Sequence, residues 1–226
     1  MTGGNRGFGA ELCRLLLERG AAKVYAGARD VRSISQEGVV GVQLDVTSAS
    51  DIASAAEHCR DVTLLVNNAG ISTDTSILAD GVVDAARRDF ETNVFGPMAM
   101  NQAFAPTLAT NGGGAIINVL SVLSWFGQPD LAVYGASKAA GWSLTNSLRQ
   151  VLLAQHTQVL GLYVAYMDTD MTAGIDSPKS DPGEIAALTL DGLEAGAHEV
   201  VADDISRHVR SALSGDLDAL YPVLGQ

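Results

Sequence analysis

Short β-branched runs alternate along this chain with longer stretches whose apolar residues recur at helical spacing. The runs Lys23–Ala28, Val39–Leu44, Val62–Val66, Ala115–Leu120, Gln158–Ala165 and Glu199–Ala202 predict strands. Helices are predicted near residues 8–19, 48–58, 83–109, 136–155, 183–195 and 203–214. Gly20, Gly70, Gly112–Gly114 and Asp181-Pro182-Gly183 punctuate them. Strand–helix alternation of this kind implies an α/β fold in which crossover helices cover a parallel sheet. Without an internal repeat, low-complexity tract or linker, residues 1–226 are expected to form one domain.

Composition narrows the classes. Hydrophobic residues make up 47% and charged residues 18%, too apolar a balance for a disordered chain. A formal charge of −12 repels polyanions, which argues against nucleic acid as a partner. No apolar run is long enough to span a membrane, and no secretory leader opens the chain. Cys13 and Cys59 are too few for a disulfide framework, so the expected compartment is the cytoplasm. They lack metal-ligand spacing and the four histidines are scattered, so no metal site is expected.

The chemistry lies in Tyr134-Gly-Ala-Ser-Lys138, preceded by Ser121 at the end of a strand-like run. If the segment is helical, Tyr134 and Lys138 share a face. An adjacent ammonium favours ionisation of a phenol, whose unperturbed pKa is about 10, and so suits it to general acid–base work. Ser121 can hydrogen-bond the same carbonyl oxygen. A lone Tyr-x-x-x-Lys also reads as a half-buried tyrosine beside a snorkelling lysine. Near the start, Thr2-Gly-Gly-Asn-Arg-Gly-Phe-Gly9 precedes a helical pattern, the arrangement that brings backbone close to a pyrophosphate. A glycine cluster also makes plain turns.

Together these motifs resemble the short-chain dehydrogenase/reductase family. The match comprises Thr2-Gly-x-x-x-Gly7-x-Gly9, Asn67-Asn-Ala-Gly70, Asn93, Ser121 and Tyr134-x-x-x-Lys138, in the family's order and spacing, and runs to about residue 172. The resemblance implies a Rossmann-type, doubly wound, three-layer parallel sheet and hydride transfer between a nicotinamide cofactor and a carbonyl or alcohol. It implies a catalytic tetrad of Asn93, Ser121, Tyr134 and Lys138. Tyr134 is then the acid/base and Ser121 the carbonyl-orienting hydroxyl. Lys138 holds the nicotinamide ribose, and Asn93 steadies a water in the proton relay. Taken alone, Asn93 reads as a helix-bending or capping residue, and Asn68 as a turn residue.

The same resemblance places the cofactor on Gly3, Asn5, Arg6, Gly7, Phe8 and Gly9, on the adenine-side pair Asp45 and Val46, and on Asn68, Ala69 and Gly70, besides Tyr134 and Lys138. Met167 and Thr169 follow as nicotinamide contacts, although Val164-Ala165 replaces the family's Pro-Gly there. Ala28 stands where an acidic residue would bind the adenosine ribose. Arg29 and Arg6 can pair with a 2′-phosphate, so NADP is expected rather than NAD; the alternative is two solvated arginines. Residues 173–183 are expected to form a substrate lid. Trp125 and Phe126 are expected in a substrate pocket or, equally, in the core or an interface. The helices at 83–109 and 136–155 resemble those through which family members pair, which implies a homodimer or homotetramer acting on a small molecule.

One departure stands out. In the family a buried central strand leads into the glycine loop, and here Met1 occupies that strand's last position. The sheet is therefore expected to lack its first strand, with ladder groups of the two neighbours unpaired. A valine codon misread as an initiator is the expected origin, testable by the in-frame sequence upstream.

Overall fold

The computed structural model describes residues 1–221; residues 222–226 of the expected 1–226 domain lie outside them. Six strands alternate with helices. They are β1 (Val24–Ala28), β2 (Val39–Gln43), β3 (Leu64–Asn67), β4 (Ala115–Val119), β5 (Gln158–Tyr163) and β6 (Glu199–Val201). The helices are α1 (Gly7–Glu18), α2 (Ala49–His58), α3 (Val82–Phe90), α4 (Gly96–Thr110), α5 (Ala132–Val151), α6 (Pro182–Glu194), α7 (Asp204–Ala212) and a short α8 (Leu217–Leu220). All strand pairs are parallel, as crossover helices require.

The period-two alternation of strand side chains builds two cores, one on each face. Leu65, Ile116 and Val159, in register across β3–β4–β5, point to one side and meet Ile52 of α2 and Met100, Phe104 and Leu108 of α4. Their successors Val66, Ile117 and Leu160 point to the other and meet Phe8 and Leu12 of α1 with Ile185 and Leu190 of α6. Buried on both faces, the strands read as continuous apolar runs.

The strands form two sheets, β1–β2 and β3–β4–β5–β6. Met1 and Thr2 join them. Gly27 N–H donates to Met1 O at 2.8 Å, and Thr2 N–H donates to Val66 O at 2.9 Å. Thr2 also bridges Gly27 in parallel register. Among the described residues β1 and β3 share no ladder beyond these contacts. Tyr25, Val42, Leu64, Leu65, Met100 and Phe104 line the cavity there, about 30 Å³ in volume.

The helices expected at 83–109 and from 136 differ most from the pattern reading. The single helix expected at 83–109 is two helices, α3 and α4, separated by a π-turn over Glu91–Phe95. Such a turn carries one extra residue per hydrogen-bonded ring and re-aims the side chains it holds. The helix expected from 136 begins at Ala132, which places Tyr134 and Lys138 on one helical face. No helix of the described residues is long and apolar enough to cross a membrane.

Candidate active site

The strands' C-terminal ends and the helix N-termini converge on one cleft, the place where open α/β sheets bind ligands. The glycine loop lies at its floor. Gly3 and Gly7 take left-handed φ values of +61° and +51°, which side chains with a Cβ rarely adopt. A Cβ on Gly9 would lie 2.1 Å from Gly3 O, so only glycine lets α1 approach the loop this closely. The first N–H groups of α1 face the cleft without intrahelical partners, a setting that suits a pyrophosphate. Phe8 turns its ring into the core, which leaves only its backbone to meet a ligand.

Thr2 and Asn68 lock this floor to β3. The Thr2 hydroxyl, 2% exposed, accepts from Asn68 N–H and Ala69 N–H, both at 2.9 Å. The Asn68 amide donates to Thr2 O at 3.0 Å and to Gly3 O at 2.9 Å. Asn68 is thus a brace beneath the loop.

Across the floor, Asn5 donates to Ser33 Oγ at 3.1 Å, and Arg29 is exposed at the end of β1. The Asp45 carboxylate, bonded by Thr47 N–H at 2.9 Å and Thr47 Oγ1 at 2.7 Å, is held below the usual carboxylate range chiefly by the backbone bond. Val46 is buried against Gly96. Arg6 pairs with Asp170 at 3.1 Å, both well exposed, so it spans from the glycine loop to the segment after β5. Thr169 lies against Gly7, and Met167 bridges Ser180, which closes residues 168–179 into an irregular loop over this end of the cleft. At Val164-Ala165, where the family carries Pro-Gly, Ala165 N–H donates to the Asp203 carboxylate at 2.7 Å.

On the opposite wall Ser121, Tyr134 and Lys138 come together. Ser121 is buried, accepts from Leu123 N–H at 3.2 Å and lies close enough to the Tyr134 phenol to lower its pKa. Lys138 Nζ donates to Val119 O at 2.9 Å and stands 5.5 Å from the centre of the Tyr134 ring. The tuning expected from spacing alone is not what the structure shows. The protein packed around Tyr134 pushes the phenol up to about 12, against the lowering effect of Ser121. Burial lowers Lys138 to about 8. Desolvation is the largest cause at both groups, since each is packed among protein atoms in place of water.

Asn93 sits in the π-turn. It accepts from Ile71 N–H and donates to Ile71 O and Ser137 Oγ, each at 2.9 Å. Ser137 in turn donates to Tyr134 O at 2.7 Å, so Asn93 ties the loop after β3 to the helix carrying the tyrosine. Behind Lys138 lies a chain the sequence reading missed. Asn67 donates to Asn101 and to Asn118, and Asn118 donates to Thr145, at 2.8, 2.8 and 2.9 Å. The signal available was two asparagines at registered positions, Asn67 and Asn118, inside otherwise apolar strands. With Asn93 and Lys138 they line a cavity of about 30 Å³, room for roughly one water. Trp125 is a core residue, stacked on Tyr163 at 4.1 Å between ring centres, and Phe126 stacks on Tyr221 at 5.0 Å. Among the described residues no His, Cys, Asp and Glu cluster suits a metal ion.

Residues 1–180 match the short chain dehydrogenase family model. Over its whole length the chain is 34% identical to a cis-4-hydroxycyclohexanecarboxylate dehydrogenase of Sinomonas cyclohexanicum, covering 94% of that protein. It is 30% identical to carbonyl reductase family member 4 of Danio rerio, over 85% of this chain and 89% of that protein. A solved short chain dehydrogenase of Burkholderia cenocepacia J2315 in complex with NADP superposes with a TM-score of 0.94 at 39% identity, over 100% of this chain and 95% of that one.

Proposed function

Because this chain belongs to the short-chain dehydrogenase/reductase family, we propose that it is an NADP(H)-dependent oxidoreductase that reduces a ketone or aldehyde or oxidises the corresponding alcohol. The observation that carries this reading is the convergence of Ser121, Tyr134 and Lys138 at the end of the glycine-floored cleft. The left-handed glycines and the tight α1 approach fit a dinucleotide. Gly3, Asn5, Arg6, Gly7, Gly9 and the Phe8 backbone would hold its phosphates, Asp45 and Val46 its adenine end, and Ala69, Gly70, Met167, Thr169, Tyr134 and Lys138 its nicotinamide end. Bound there, the cofactor supplies or accepts the hydride.

The protein's own part is proton handling and orientation. Tyr134 donates its phenolic proton to the carbonyl oxygen in reduction and withdraws it in oxidation. Ser121 donates to that same oxygen and fixes its direction as charge develops. Lys138, as an ammonium, favours the phenolate that reduction leaves behind. A water in the cavity bounded by Asn93, Asn67 and Lys138 then offers a route for proton return. Burial of the ammonium and partial burial of the phenol limit competition from bulk water.

NADP is favoured over NAD by Arg29 and Arg6 and by Ala28, which presents no carboxylate to a 2′-phosphate. NADPH is expected to raise the melting temperature more than NADH at equal concentration, because a ligand that binds only the native state stabilises it according to its affinity. Arg29→Ala is expected to remove most of that difference. Equal shifts from both nucleotides would reverse the cofactor assignment. Steady NADPH oxidation with a panel of ketones and aldehydes tests the activity itself. A stabilising response to NADPH with no turnover of any of them would favour the alternative, a catalytically idle nucleotide-binding protein.

Phe95, Met98 and Trp142 are exposed on the π-turn, α4 and α5. We assign them to a homodimer or homotetramer interface. Met98→Glu with Trp142→Glu is expected to yield a monomer by sedimentation, and an unchanged mass would refute the assignment.

A further inference from the structure

Residues 122–133 join the two hydroxyls assigned to the carbonyl oxygen, Ser121 and Tyr134, so they border the space where the rest of a substrate must lie. Val122 to Trp125 are buried beneath it. Phe126 is the first side chain of the segment to reach the surface, and it is half-buried. Its ring lies nearly parallel to that of Tyr221, with 5.0 Å between centres and 15° between planes. The next residue fixes the pair: Gly127 N–H donates to the Tyr221 hydroxyl at 2.6 Å. Phe126 and Leu220 pack against the same cluster, Leu120, Leu123 and Trp125 among it, on which Tyr134 rests. A residue far along the chain, just after α8, thus holds the wall that begins shortly after Ser121.

This wall is apolar. No charged residue stands between Leu120 and Pro129. The loops 71–81 and 164–181 follow β3 and the neighbouring β5 at the same end of the sheet. They carry Asp74, Asp80, Asp168, Asp170, Asp176 and Asp181, all exposed, with Lys179 as their only cation. A carboxylate or phosphate on a substrate would meet aromatic rings beside it and a negative field around it. A hydrocarbon ring buries apolar area against Phe126 and Tyr221 without that cost. We propose that Phe126 and Tyr221 are specificity-determining residues that receive an uncharged cyclic or aromatic substituent of the carbonyl substrate. Tyr221 acts both through its ring and through the bond that sets Gly127. The inference names a substrate class for the proposed carbonyl reduction and rests on that reading.

The probes are acetophenone, its anionic analogue 4-acetylbenzoate and the small ketone butanone, each assayed with NADPH. The parent is expected to favour acetophenone over 4-acetylbenzoate by at least about tenfold in kcat/KM. In Tyr221→Ala the acetophenone-to-butanone ratio of kcat/KM should fall about tenfold, mainly through KM. Tyr221→Phe keeps the stacked ring and should restore most of that ratio. An equal loss with both ketones would mark a merely structural role and overturn the proposal. An unchanged ratio, or a parent that favours the benzoate, overturns it as well. Should Tyr221→Ala not fold, Phe126→Leu is judged by the same ratio. If the parent turns over none of the three while NADPH still raises its melting temperature, the proposed activity falls and binding decides the wall. A further rise with acetophenone that Tyr221→Ala loses and Tyr221→Phe keeps would uphold it; no further rise overturns it.

Discussion

Replacing Tyr134 with Phe is expected to lower kcat/KM for carbonyl reduction by about 10²–10⁴-fold, the usual contribution of a positioned acid or base. NADPH binding, read as a rise in melting temperature, should persist. The substitution keeps the ring, its place at the start of α5 and the ammonium of Lys138 at 5.5 Å from its centre. What goes is the phenolic proton that Tyr134 holds beside Ser121. Ser121 does not replace it, because an aliphatic hydroxyl is a far weaker acid than a phenol. Retention of more than about a tenth of the parent rate would place the acid elsewhere and end the assignment of Tyr134.

Thr2→Val carries the largest expected cost in stability. Valine matches threonine in shape, so the packing around this 2%-exposed side chain changes little. Its methyl cannot accept from Asn68 N–H and Ala69 N–H, and two part-buried donors are left without that partner. At about 1–3 kcal/mol for each orphaned group, the loss is about 2–6 kcal/mol. For a chain of this length that corresponds to roughly 5–15 °C in Tm. The effect is concentrated at the junction of the two sheets, where Met1 and Thr2 supply the contacts that join them. NADPH affinity should fall as well, because Asn68–Gly70 and the glycine loop share this brace. A calorimetric Tm within a degree of the parent would mean that the donors find other acceptors and that the brace is dispensable.

Much of the fold was legible in the pattern. The β-branched runs at Val39, Ala115 and Gln158 begin their strands at those residues, and the alternation of strands and helices led to a parallel sheet. Local chemistry explains this success: a strand buried on both faces must be apolar throughout, and that leaves a continuous run. The break at Glu91–Phe95 was not legible. A π-turn keeps helical composition and changes only which carbonyl each N–H reaches, so residues 83–109 read as one helix. The turn is nonetheless what directs Asn93 to Ile71 and Ser137.

The site divides along the same line. Tyr134 and Lys138 are neighbours in sequence and one helical turn apart, so their pairing follows from spacing. The titration behaviour does not. Spacing predicted a phenol tuned downward by its lysine, whereas packing pushes the phenol up and the amine down. Desolvation depends on how many protein atoms displace water around a group, and those atoms come from distant segments. Asp89 lies in a charged stretch, Arg87-Arg88-Asp89, that the sequence reading did not single out, yet it is wholly buried. The asparagine chain from Asn101 to Thr145 looks like isolated polar residues until four elements bring successive members within 3 Å of one another.

The sequence by itself determined the α/β class, the glycine loop and the identity of the groups that can exchange a proton, because periodicity, left-handed glycines and i, i+4 spacing are local properties. Only the tertiary structure decided which charges are dry, which polar groups brace the cofactor floor, and that Ser121 meets Tyr134. Burial and through-space electrostatics are summed over neighbours that the chain brings together only when it folds.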